Sequence, residues 1–138
     1  MSFNYACQKD SFDDYVAEYF LLKNMPAPTV HKGMLSIVYN RVRPKCSIIL
    51  AKKGVYAFYI DNVKLMKIGK ATKKKRGMRH RFGLYWSYMD KVKMNFDNIQ
   101  VKYVYVDSSE EAWALERYIS GKAYASGENM DWENKTSN

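Results

Sequence analysis

Residues 54–69 read GVYAFYIDNVKLMKIG, and the fold turns on how that stretch is parsed. Val55 to Ile60 is rich in β-branched and aromatic residues, which favour strands. Asp61-Asn62 is a turn signal, and Leu65 to Ile68 forms the returning strand. The stretch is therefore a β-hairpin. Gly69 to Gly77 follows as a basic connector. Met78, Phe82, Tyr85, Trp86 and Met89 then recur at helical spacing. Ile99 to Val106 reads IQVKYVYV, the alternation of a half-buried strand. Ser108-Ser109-Glu110-Glu111 is a capping-box pattern that opens a second helix, running to about Ser120.

Upstream, the sequence predicts a helix from Ser11 to Lys23. Ser11 caps it, Asp13 and Asp14 suit its positive end, and Phe12, Tyr15, Val16, Tyr19 and Phe20 form its apolar stripe. Pro26 and Pro28 keep it from continuing. Met34 to Val42 fits strand or helix, and Cys46 to Leu50 reads as a short buried strand. Beyond Gly121 the chain is polar apart from residues such as Met130 and Trp132. The expected fold is α+β: a small antiparallel-centred sheet flanked by helices, with an N-terminal helical extension. Residues 1–52 form the extension, a candidate for dimerisation or DNA contact, and 53–138 the main domain.

A length of 138 residues suits one core. The formal net charge is +9, and self-repulsion of that size favours an anionic partner rather than folding. Nucleic acid leads, because counterion release drives basic surfaces onto phosphate chains. Cys7 and Cys46 lack a CxxC spacing and read as reduced thiols. His31 and His80 have no second ligand at metal spacing, so a zinc site fails. Gly69-Lys70 is not a P-loop, since Lys64 replaces the first glycine and Ala71 the hydroxyl residue. With neither a membrane-length apolar run nor a signal pattern, the expected location is the cytoplasm.

Gly54-Val55-Tyr56, then ten residues, then Lys67-Ile68-Gly69 resembles the GIY-YIG nuclease superfamily, in the phage and mobile-element branch where the second tripeptide reads KIG. The resemblance covers roughly residues 54 to 129. It implies a magnesium- or manganese-dependent endonuclease acting on DNA, double-stranded above all. Its arginine falls at Arg81, in Met78-Arg79-His80-Arg81-Phe82, with Arg79 open as the alternative and Arg76 a poorer one. Its catalytic glutamate falls at Glu116, which two residues, Arg117 and Tyr118, separate from the aliphatic Ile119. Asn129, in Gly127-Glu128-Asn129, matches a late asparagine of the family. Lys67 stands where the literal family name has a second tyrosine.

These residues also make chemical sense by themselves. Glu116 lies about 40° round the helix from Ala112, on the rim of an apolar face, where a carboxylate is costly without a partner. A Mg²⁺ ion is one partner and a basic side chain is the other. Tyr56 is assigned as general base or water-positioning group, its phenolate favoured by a neighbouring cation such as Lys67. The arginine would clamp the scissile phosphate. Lys64, Lys70, Lys73, Lys74, Lys75 and Arg76 form the expected electrostatic track, and His80 is either a phosphate contact or simply an exposed helix histidine. One such site cuts one strand, so a monomer would nick and a homodimer could cut both. The alternatives are a non-catalytic DNA- or RNA-binding module on the same fold and a basic protein-interaction domain. Recognition sequence and oligomeric state are not written in the residues.

Overall fold

The hairpin forms as its composition requires, and the rest of the chain is layered on its two faces. The computed structural model describes residues 2–61, 64–73 and 75–127. In chain order these form α1 (Ser2–Leu22), β1 (His31–Met34), a single-turn α2 (Leu35–Val38), β2 (Gly54–Ile60), β3 (Lys64–Ala71), α3 (Gly77–Lys91), β4 (Ile99–Tyr105) and α4 (Ser109–Ala125). The four strands make one antiparallel sheet in the order β1-β4-β2-β3. The α+β class expected from the sequence is the class observed.

Period-2 alternation sends the side chains of β2 to opposite faces. Tyr56 and Phe58 join Phe82, Tyr85, Met89 and Tyr103 in a core beneath α3. Val55, Ala57 and Tyr59 join Phe12, Val16, Leu115 and Ile119 beneath α1 and α4. A bulge on β3 adjusts the second strand. Phe58 pairs with Lys67 and Tyr59 with Leu65, leaving Met66 as the extra residue. Met66 packs under α3, whereas Leu65 and Ile68 pack under α4.

The first 52 residues contribute to this same body. β1 pairs with β4, with His31 opposite Tyr103. Of the stripe read from the sequence, α1 buries Phe12, Val16, Tyr19 and Phe20, with Tyr15 partly buried beside them. A polar seam ties it to α4. The Tyr19 hydroxyl donates to Glu111 Oε2 at 2.5 Å, Lys23 reaches the same oxygen at 3.1 Å, and Lys122 pairs with Glu18 at 2.7 Å.

Three expectations are corrected. α1 begins at Ser2, so Ser11 lies inside the helix rather than capping it. Residues around Cys46 to Leu50 form no strand: Pro44–Cys46 is a 3₁₀ turn, and the Val38 carbonyl accepts from the amides of both Ile48 and Ile49. The apolar signal there came from Ile49, buried within a loop, while Ile48 and Leu50 are exposed. α4 extends past Ser120 to Ala125. The cap at Ser108 forms as expected, its hydroxyl accepting from the Glu111 amide at 3.1 Å. Glu111 itself turns to Tyr19 and Lys23. Among the described residues no helix is long and apolar enough to cross a membrane.

Two glycines separate packing from propensity. A Cβ on Gly54 would collide with the Val104 carbonyl oxygen and the Met78 side chain, whereas one on Gly121 would meet nothing within 4 Å. Gly54→Ala is expected to destabilise the fold by about 1–3 kcal/mol through overpacking against backbone. Gly121→Ala, inside α4, is expected to stabilise it by about 0.5–1 kcal/mol. Urea denaturation of both variants checks the opposite signs.

Candidate active site

Tyr56, Lys67 and Arg81 share one face of the sheet. Directly opposed residues in an antiparallel pair point the same way. Lys67, opposite Phe58, and Gly69, opposite Tyr56, therefore belong to the α3 face. Gly69 lies on the edge strand β3, and a Cβ there would stand 2.5 Å from the Tyr56 hydroxyl oxygen. The glycine of the second tripeptide thus makes room for the phenol of the first. No larger residue fits without moving it.

Arg81 reaches the same hydroxyl from α3. Its Nε lies 3.5 Å from Tyr56 Oη, and its Nη2 donates to Tyr85 Oη at 3.2 Å. Tyr85 is the residue that the sequence reading placed only in the apolar stripe. Its signal was the i,i+4 spacing from Arg81, which puts both on adjacent turns of one helix flank. Arg79 leaves α3 on another side, and its Nε donates to the Ile49 carbonyl at 3.3 Å. Of the two arginines left open by the sequence, Arg81 is the one beside Tyr56.

The electrostatics at Tyr56 run against a ready phenolate. Burial is the largest influence and pushes the phenol well above its ordinary value, and Tyr85 adds to the rise. The Arg81 guanidinium pulls in the opposite direction and is outweighed. The expectation that a neighbouring cation lowers this pKa holds for the sign of the cation's effect and fails for the net result. In this form the phenol carries its proton at neutral pH. Arg81 is a cation that acts on it in this way.

Glu116 comes from α4, which packs on the opposite face of the sheet against β3. Two contacts set how α4 lies along that edge strand. The Ser109 hydroxyl donates to the Thr72 carbonyl at 3.2 Å, and the Lys70 ammonium sits 3.9 Å from the centre of the Trp113 ring. With Ser109 beside Thr72 and Trp113 beside Lys70, α4 runs back along β3, and Glu116 lies about one helical turn beyond Trp113. Glu116 is buried, and its Oε2 accepts from the Ser120 hydroxyl at 3.4 Å.

Lys67, Lys102 and Glu116 are buried charged residues among those described; Lys102 pairs with Asp13 at 3.0 Å and Glu116 accepts from Ser120. Burying an ion is costly unless paired or coordinated, so charged groups kept inside demand a reason. No group of three or more His, Cys, Asp or Glu among the described residues could hold a metal ion. A single carboxylate completed by substrate oxygens and water is nevertheless an ordinary Mg²⁺ arrangement, and Glu116 has the donor chemistry for it.

The expected phosphate track is dispersed. Lys64 is exposed at the start of β3, Lys70 lies over Trp113, and Lys73 is exposed after β3. Lys75, Arg76 and His80 line one groove together with Arg79. Lys74 and Asn129 lie outside the described residues.

A phenol whose folded-state pKa is raised stabilises the fold below its unfolded value, near ~10, and loses that contribution as pH climbs toward the folded value. Tyr56→Phe is therefore expected to lessen the loss of stability above pH ~10 relative to the unaltered chain. Denaturant midpoints across neutral to alkaline pH check this. Equal alkaline losses in both proteins would refute the placement of a buried, protonated phenol.

No protein-family model, curated protein or solved structure matches the chain. The resemblance to GIY-YIG nucleases therefore rests on the motif residues themselves.

Proposed function

We propose that the chain is a Mg²⁺-dependent DNA endonuclease of GIY-YIG type, acting in the cytoplasm and hydrolysing one phosphodiester bond per site. The observation that carries this reading is the meeting of Tyr56 and Arg81 beside Gly69 on the sheet edge. The motif spacing points to these residues, and they come from separate elements of the chain.

In this reading the Arg81 guanidinium donates to the non-bridging oxygens of the scissile phosphate and offsets the charge that builds there. Its hydrogen bond to Tyr85 holds it in place for that task. The Lys67 ammonium adds positive charge on the same face. Tyr56, protonated in the resting form, orients the attacking water; it takes that water's proton only if bound cations draw its pKa down. Mg²⁺ or Mn²⁺, held by the Glu116 carboxylate, would supply Lewis-acid polarisation of the phosphate. The new P–O bond forms from water as the ester P–O bond to the leaving oxygen breaks. A single site of this kind nicks, and a double-strand cut requires two protomers or two binding events.

One observation favours a second reading, a DNA- or RNA-binding module without chemistry. Tyr56 has no exposed surface, as a purely structural tyrosine would. Supercoiled-plasmid cleavage with and without Mg²⁺ separates the two. Metal-dependent nicking is expected from the unaltered chain. Arg81→Ala should lower the rate by about 10²-fold or more, as loss of a transition-state donor does. Glu116→Ala should abolish cleavage while DNA binding persists. Undiminished cleavage by Glu116→Ala, or none by the unaltered chain with Mg²⁺ or Mn²⁺ present, sinks the nuclease reading.

A further inference from the structure

The N-terminal half of α3 and the loop from Tyr39 to Ala51 enclose a groove of about 480 Å³ that is separate from the Tyr56 site. Its cationic side is Lys75, Arg76, Arg79 and His80; Tyr39 and Leu84 supply apolar surface. Lys75, Arg76 and His80 are exposed. Arg79 is held against the wall by its bond to the Ile49 carbonyl, so its charge is presented in a fixed position. The Tyr39 ring packs on Trp86, with ring centres 5.9 Å apart, which anchors the loop wall to the helix.

The charge around this groove is one-sided. Residues 19–89 contain 16 of the chain's 23 Lys and Arg but only Asp61 of its 14 acids. Arg41, Arg43, Lys45 and Lys52, in the loop and just after it, are exposed. Low-dielectric walls lined by one sign of charge focus the field into the cleft between them.

Helical geometry connects the groove with the candidate active site. At ~100° per residue, Arg79 and Arg81 emerge on opposite flanks of α3, about 200° apart by the outward arc that carries His80 and Leu84. A polyanion crossing the outer surface of α3 would meet Arg81 on one flank and the groove on the other.

We infer that this groove is a second phosphate-backbone site, built jointly by α3 and the segment before the hairpin, which holds duplex DNA flanking the bond presented at Arg81. The inference rests on the reading of the chain as a protein that acts on DNA, but not on its cleavage chemistry. Phosphate contacts position a duplex without reading its sequence. The groove would therefore set affinity and orientation, and its loss would weaken binding uniformly across sequences.

The test uses the full chain carrying Glu116→Gln, in EDTA, binding a short fluorescently labelled duplex over a range of salt. Lys75→Glu/Arg76→Glu is compared with Lys91→Glu/Lys93→Glu, the same charge change at the other end of α3. Acidic residues at a helix N-terminus are compatible with its dipole, so the first pair should not unfold α3; circular dichroism checks both pairs. The groove pair is expected to weaken binding at least tenfold and to reduce the salt-dependence slope by about 2, at about 0.9 per lost phosphate contact. The distal pair is expected to change affinity less than threefold. Equal losses from the two pairs, or tight binding by the groove pair, would overturn the inference. Cleavage by the Glu116-containing chain is scored in parallel. Groove-dependent binding without cleavage rejects the nuclease chemistry alone, whereas cleavage with a dispensable groove rejects this site alone. Absence of duplex binding by the parent chain rejects both.

Discussion

The Tyr56 hydroxyl stands against the bare backbone of Gly69, and the arrangement of the candidate site follows from that contact. A phenol on a central strand can point toward the neighbouring edge strand only if that strand offers no side chain there. Gly69 satisfies this, and its register opposite Tyr56 is fixed by the hairpin. With the ring so placed, Phe58, Phe82 and Tyr85 surround it at ring-centre distances of 5.3–5.8 Å. Arg81, one helical turn before Tyr85, then has the phenol within reach. Aromatic packing and guanidinium placement are consequences of one close approach.

Burial imposes the opposing tendency. It raises the phenol's pKa more than Arg81 lowers it, so the resting centre favours a neutral hydroxyl beside a cation. Lys67 and Glu116 are also kept from water. Charges inside a small protein add little to its stability when compared with apolar side chains of like volume.

The segment before the hairpin has two structural duties. Its helix covers one sheet face and joins α4 through Glu18 and Glu111, whose carboxyls are held below the usual range chiefly by hydrogen bonds from Lys122 and Tyr19 respectively. Its later portion adds β1 to the sheet and then wraps toward α3, where the Lys52 carbonyl accepts from the Met78 amide at 3.0 Å. That wrap creates the basic groove. Neither duty is apparent from the motif, which lies wholly downstream.

By itself the sequence determined what depends on neighbours close along the chain. The hairpin, the stripes of α1 and α3, the Ser108 cap and the spacing of the two tripeptides all come from local periodicity and turn chemistry. It mistook residues 46–50 for a strand because burial of Ile49 in a loop and burial in a sheet leave the same apolar mark. It set the start of α1 at Ser11 because a serine inside a helix and one capping it are identical as letters. The choice between Arg79 and Arg81 required tertiary structure, since both flank the stripe and only packing of α3 on the sheet says which flank meets Tyr56. So did the ionisation of Tyr56: the sequence named a cation partner, but the extent of burial, which outweighs it, exists only in the assembled fold.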